Sequence, residues 1–138
     1  MSLTLLGVAL SACSIKTRIK RADKRYQIGE YYEAGNLYQS CYKQVKSTDK
    51  QTRAYLAFQQ GECYRHINNT KAATAYRNAI RNRYADSIVY LRQAQVLHYQ
   101  GKYRDALKGY DIYLQSHPDD YVALSGKYAC LHVEDWKK

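Results

Sequence analysis

A set of three packing residues returns at a nearly constant interval along this chain, and that interval restricts the fold more than any other feature. In each copy a small residue is followed four positions later by a tyrosine, and a third packing residue comes three positions after that. This spacing places the three side chains on one face of a helix, where the small residue lets a neighbouring helix approach. The copies are Ala34, Tyr38, Cys41; Ala72, Tyr76, Ala79; and Ala106, Tyr110, Tyr113.

The interval between copies is typical of helix-turn-helix repeats. The second and third copies are 34 residues apart, which is the period of the tetratricopeptide repeat (TPR). The third copy resembles a TPR most closely, because Gly101 lies in the turn and Pro118 closes the unit. Its first helix would carry Tyr90, Ala94 and Leu97 at the packing positions. The first two copies are 38 residues apart, and the excess falls in the polar stretch 46–52, which we interpret as a lengthened loop.

The predicted fold is all-α, a TPR helix-turn-helix solenoid of about three repeats plus an extra C-terminal helix. A single Pro and seven Gly argue against a fold with many strands. Sixteen Tyr suit a thin two-layer array, since a tyrosine hydroxyl needs water or a partner. The last helix has no partner helix, so we expect the TPR domain, 13–138, to be the N-terminal part of a longer protein. The predicted helices lie near 15–28, 31–46, 50–67, 70–84, 86–100, 103–116 and 120–134.

The N-terminus has the pattern of an export signal. Residues 3–10 are apolar and uncharged, too short to span a bilayer but suited to a signal peptide. Leu10, Ser11, Ala12 and Cys13 follow, and this order resembles the lipobox of bacterial lipoproteins, in which the cysteine is lipidated. We therefore predict a lipoprotein signal peptide over 1–12 and lipidation at Cys13. No Lys or Arg precedes the apolar run, so we expect the natural start to lie upstream of Met1. The alternative is an accidental match, with Cys13 a small apolar residue in a fraying terminus.

Residues 10–13 together with the stretch 22–34 resemble the N-terminal TPR region of Bacteroidetes outer-membrane lipoproteins. In that family a repeat domain precedes a β-propeller and an OmpA-like peptidoglycan-binding domain, and members serve type IX secretion. The resemblance implies a lipid-anchored periplasmic scaffold on the inner leaflet of the outer membrane. Ser14 after the lipidated cysteine resembles the sorting signal for that membrane.

A formal net charge of +10 favours acidic partners, and six of the basic residues fall between positions 16 and 25. A solvated helix face is the simpler explanation of that run. An RNA-binding helical repeat or a cytoplasmic TPR adaptor is the alternative function, although the run contains no aromatic residue for base stacking. A third hypothesis is the repeat segment of a cell-wall enzyme. We expect no nucleic acid and no small-molecule substrate as partner.

The concave face of the solenoid, lined by the first helices, is the predicted partner-binding site. A protein or peptide with acidic and apolar groups would suit its mixture of basic and apolar positions. Phe58 and Leu91 have an alternative role, which is packing between adjacent first helices. The predicted concave positions are Lys20, Lys24, Tyr55, Phe58, Glu62, Arg65, Leu91, Gln95 and His98.

The sequence lacks the usual signatures of catalysis. It contains no glycine-rich phosphate loop and no nucleophile motif, so we predict that the chain is not an enzyme and needs no cofactor. Cys63 and His66 share a helix face but lack further ligands, so we predict no metal site. Cys41, Cys63 and Cys130 occupy packing positions, and a disulfide between Cys41 and Cys63 stays open as an alternative.

Overall fold

The chain forms seven consecutive helices. The computed structural model describes residues 3–138, with side chains from Ser14 onward. No strand occurs within that range, and the predicted all-α class is confirmed. The predicted signal peptide and the lipidation of Cys13 concern side chains outside the described part. The helices are α1 Leu3–Gln27, α2 Tyr31–Gln44, α3 Lys50–Tyr64, α4 Asn69–Arg81, α5 Ile88–Tyr99, α6 Tyr103–Ser116 and α7 Tyr121–Trp136.

The predicted helix ends agree with the structure to within three residues, except at the start of α1. That helix is continuous from Leu3, the first described residue, because no Pro, Asp or Asn interrupts it before residue 23. Helix α4 ends at Arg81, earlier than predicted, because Arg83 takes a left-handed backbone conformation with φ 62°. The amide of Tyr84 then turns back to the carbonyl of Ala79 at 3.0 Å and satisfies it.

Two of the three turns within the repeats are built on glycine. Gly29 and Gly101 have φ of 81° and 73°, which closes each first helix with a residue that has no Cβ to clash. The turn of the second repeat contains no glycine. There the Asn68 side chain accepts a hydrogen bond from the amide of Lys71 at 3.0 Å and starts α4 directly.

In each repeat the second helix carries a buried tyrosine that packs against the first helix. The hydroxyl of this tyrosine contacts a polar side chain of that first helix. Tyr38 of α2 donates to Asp23 of α1 at 2.7 Å, and Tyr76 of α4 donates to Glu62 of α3 at 2.7 Å. Tyr110 of α6 lies 3.2 Å from Nδ1 of His98 on α5. All three tyrosines are buried. The repeating tyrosine thus fills the core with its ring and fixes the helix pair with its hydroxyl.

Helix α7 is a first helix without a second helix to cover it. Its N-terminus is capped by Asp120, which accepts from the amide of Ala123 at 2.8 Å. On one side it packs against α6, where Gly126 lies under the ring of Tyr110. On the other side Tyr128 is 63% exposed, whereas the equivalent Ala94 of α5 is fully buried. The predicted extra C-terminal helix is therefore confirmed.

Candidate functional site

The first helices α1, α3 and α5 are tied to one another by two acidic side chains. Asp23 of α1 accepts a hydrogen bond from Tyr55 of α3 at 2.7 Å, in addition to the one from Tyr38. Burial, and next the hydrogen bond to Asp23, raises the pKa of Tyr55 to about 12, so the hydroxyl is a donor at neutral pH. This bridge sets the spacing between α1 and α3.

The second bridge is centred on Glu62 of α3, which is only 8% exposed. Its carboxylate accepts from Tyr76 and lies 3.2 Å from Nε of Arg92 on α5 and 3.7 Å from Nε of Arg65. Burial raises the pKa of Tyr76, and the nearby Glu62 charge raises it further, so this hydroxyl also stays protonated. The carboxylate thereby forms ion pairs, without hydrogen bonds from the two Nε atoms, with two guanidinium groups at the junction of α3 and α5.

The side chains that these bridges leave accessible form a surface that we call the first-helix face. Its members come from α1, α3 and α5 and are all partly or fully exposed. Basic groups dominate this surface, and the tyrosine ring at its α5 end is 80% exposed. The first-helix face comprises Lys20, Lys24, Tyr55, Gln59, Arg65, Arg92, Gln95 and Tyr99.

Solved structures with the same arrangement of helices are TPR domains. The C-terminal TPR-containing domain of a Plasmodium falciparum FK506-binding protein has a TM-score of 0.74 and 13% identity, with 91% of this chain and 92% of that chain covered. The first TPR domain of Spaghetti (RPAP3), bound to the HSP90 peptide SRMEEVD, has a TM-score of 0.70 and 16% identity, covering 88% and 93%. The fold is a TPR solenoid.

A third TPR structure comes from a bacterial secretion system. The Yersinia enterocolitica type III secretion chaperone SycD, in complex with a peptide of the translocator YopD, has a TM-score of 0.71 and 15% identity, covering 88% of this chain and 95% of that chain. No protein-family model and no curated protein sequence matches this chain. At these identities the likeness establishes the TPR fold, which was the predicted one.

The TPR packing separates the predicted concave residues into three groups. Lys20 and Lys24 are exposed as expected, while Tyr55, Arg65, Gln95 and His98 are partly buried, and the remaining three are buried. His98 is turned towards α6 by its contact with Tyr110. The buried residues are Phe58, Glu62 and Leu91.

The expected exposure of Phe58, Glu62 and Leu91 is wrong. The packing alternative describes Phe58 and Leu91. Phe58 stacks on Tyr84, with ring centroids 4.3 Å apart, and Leu91 is 4% exposed in the core of the third repeat. In α5 the accessible stripe runs through Arg92, Gln95 and Tyr99 instead. A shift of one residue turns a helix by about 100°, which moves Leu91 inside and Arg92 outside.

Sequence reasoning missed Asp23, Gln59, Arg92 and Tyr99. Asp23 is the single acid within the basic run of α1, and that isolation was the available signal for a structural role. The ion pair between Glu62 and Arg92 could not be predicted from residue spacing, because the two residues come from different repeats.

The described cysteine side chains are buried, whereas His66 is exposed and lies against an aromatic ring. Cys41, Cys63 and Cys130 are buried free thiols, so the disulfide alternative is not formed in this structure. Burial raises the pKa of Cys63 to about 12, so this thiol is not a thiolate nucleophile at neutral pH. Burial, and then the charge of Arg65, lowers the pKa of His66, which stacks on Tyr31.

The described part of the chain lacks two further features. In that part, no three His, Cys, Asp or Glu side chains come together as metal ligands. Likewise, none of the helices there combines the length and the apolar character needed to cross a bilayer.

Proposed function

We propose that this chain is a non-catalytic protein-interaction scaffold whose first-helix face receives a protein segment carrying acidic and apolar groups. The observation that carries the proposal is that Arg65 and Arg92 line one cavity with the exposed ring of Tyr99, while Lys20 and Lys24 are exposed on α1. The peptides held by the similar RPAP3 and SycD domains support a peptide-binding role for this fold.

The two kinds of group on the first-helix face would contribute differently to binding. Lys20 and Lys24 are solvated, so they would steer an acidic segment and raise its association rate. Arg92 is already oriented by Glu62, so it can add a hydrogen bond to an incoming carboxylate with little loss of entropy. The exposed Tyr99 ring offers the apolar area that anchors such segments.

The double variant Lys20→Glu with Lys24→Glu is expected to bind an acidic peptide about tenfold or more weakly, because attraction is replaced by repulsion at two positions. Fluorescence polarisation with a labelled, end-blocked peptide of the repeat Glu-Glu-Leu would measure this. The matched control variant is Lys50→Glu with Lys138→Glu, which changes the same number of charges at exposed positions outside the first-helix face.

The proposal fails if a Lys-Lys-Leu peptide of the same length binds as tightly as the acidic one. It also fails if Lys20→Glu with Lys24→Glu leaves the affinity of the acidic peptide unchanged. Tighter binding of an oligouridylate than of the peptide, with a steep dependence on salt, would instead favour the RNA-binding alternative.

We also propose that the scaffold is lipid-anchored in the periplasm, as a component of a bacterial envelope complex such as type IX secretion. The order of Leu10, Ser11, Ala12 and Cys13 behind an apolar run supports the anchor. The resemblance of residues 10–13 and 22–34 to TPR lipoproteins supports the assignment to an envelope complex.

A bacterial host that expresses the chain behind a complete export signal is expected to incorporate labelled fatty acid into it, and Cys13→Ala should abolish the label. A Cys130→Ala variant is the control, because that thiol is buried in the folded domain. Recovery of the wild-type chain unlabelled in the soluble fraction would contradict the anchor and leave the binding proposal intact.

A further inference from the structure

A recess opens on the side of the molecule that faces away from the first-helix face. It has a volume of about 300 Å³ and lies between the second helices α2 and α4, with α3 as its floor. Gln60 and Tyr64 form the floor, and Lys43 and Lys71 stand on the two walls. We call it the first back groove.

The floor of the first back groove holds an unsatisfied hydrogen-bond donor. Gln60 is only 5% exposed, and its side-chain nitrogen finds no acceptor among the described residues. Buried amides are normally paired, and the unpaired ones in native structures call for an explanation. A small rotation of the Gln60 side chain towards the groove would let an acceptor atom of a bound segment satisfy this donor.

An equivalent recess occurs one repeat further along. The second back groove has a volume of about 380 Å³ and lies between α4 and α6, with α5 as its floor. Gln39 and Tyr42 of the first groove correspond to Arg77 and Ile80 of the second, 38 positions later. The grooves are therefore a repeated product of the solenoid, and each lies between consecutive second helices.

Both grooves are bordered by cations. Lys43 and Lys71 line the first, and Arg77, Lys102 and Lys108 line the second. The acid in the lining of the second groove, Asp105, is already paired with Lys108 at 3.1 Å. Helix α4, which forms a wall of both grooves, carries Lys71, Arg77 and Arg81 and no acidic residue.

We propose that the back grooves form a second interaction surface, one that binds an acidic, extended segment of a partner protein. A carbonyl or carboxylate oxygen of the segment accepts from Gln60, and neighbouring carboxylates pair with Lys43 and Lys71. Lys71 is held in place for this, because its ammonium group lies over the Tyr64 ring at 5.3 Å. The chain could then bind one partner on each side.

The shape of the grooves favours a peptide over a nucleic acid. Single-stranded nucleic acid is held through bases that stack on open aromatic rings. Tyr64 is 4% exposed, and the ring of Tyr42 is covered by the guanidinium group of Arg53 at 4.0 Å. Neither ring is an open stacking platform, since the first is buried and one face of the second is occupied.

Titration of the ¹⁵N-labelled chain with end-blocked (Glu-Ala)₆ peptide tests this proposal by NMR. The side-chain amide signal of Gln60 and the backbone amides of 39–43 and 71–78 are expected to shift. Gln60→Leu should weaken binding by about three- to tenfold, the range for one hydrogen bond. Lys43→Glu with Lys71→Glu should weaken it by about tenfold or more, because two attractive charges become repulsive.

The same titration with Lys20→Glu and Lys24→Glu separates this surface from the first-helix face. The shifts of the back-groove amides should persist in that variant, whether or not the first-helix face binds peptide. Shifts confined to α1 and the accessible stripes of α3 and α5 would overturn the proposal, and so would unchanged affinity in Lys43→Glu with Lys71→Glu. If oligouridylate moved the back-groove amides more strongly than the peptide, the surface would be one for nucleic acid, and the proposal would fail.

Discussion

Gly61→Ala is expected to destabilise the domain by about 2–4 kcal/mol, although alanine is intrinsically the better helix former by about 1 kcal/mol. A Cβ atom at position 61 would lie 2.3 Å from Cε1 and 2.5 Å from Cδ1 of the Tyr76 ring. That ring cannot move aside easily, because it is fully buried and its hydroxyl is bonded to Glu62 at 2.7 Å. Urea unfolding followed by circular dichroism would measure the change in the free energy of unfolding.

A double-mutant cycle identifies the cause of the loss. Tyr76→Leu removes the ring and should destabilise the domain by itself, because it leaves a cavity and an unpaired Glu62. In the Tyr76→Leu background, Gly61→Ala should lose most of its effect, since the clashing atoms are absent. A stabilising effect of Gly61→Ala in the wild type would show that α3 and α4 are not in close contact at this point.

Glu62→Ala is expected to destabilise the domain by about 2–3 kcal/mol, because it leaves a buried tyrosine hydroxyl without its acceptor and two guanidinium groups without their counter-charge. We expect this loss of stability to be smaller than the loss from removing one partner of a fully buried ion pair. The side chains of Arg65 and Arg92 are 33% and 26% exposed, so water can partly replace the carboxylate. Thermal and urea unfolding would both report the loss.

Asp105→Ala is the matched control for Glu62→Ala. Asp105 also pairs with a cation, Lys108 at 3.1 Å, but the two side chains are 60% and 76% exposed. Its removal should change stability by less than about 0.5 kcal/mol, as is usual for an exposed pair three residues apart on a helix. Equal losses for the two variants would mean that the Glu62 network has no special role in joining α3 to α5.

The prediction of the fold succeeded because repeats are specified by local rules. The spacing of Ala72, Tyr76 and Ala79 determines a helix face, and the 34-residue return determines that another helix pair follows. The glycine turn of the third repeat could also be recognised in advance. Prediction of the binding face was less successful, since an error of one residue in α5 exchanged buried Leu91 for accessible Arg92.

The sequence by itself determined the class of the fold, the number of helices and the residues that close each pair, because all of these depend on contacts within about 34 residues. Only the tertiary structure decided which polar groups are buried and which surfaces are open. The sequence predicts Glu62 as an exposed residue of the concave binding surface, but it is enclosed by Tyr76, Arg65 and Arg92, and the last of these comes from the next repeat. The back grooves likewise depend on the tertiary structure. Each groove exists because a first helix lies between two consecutive second helices and keeps those two helices apart.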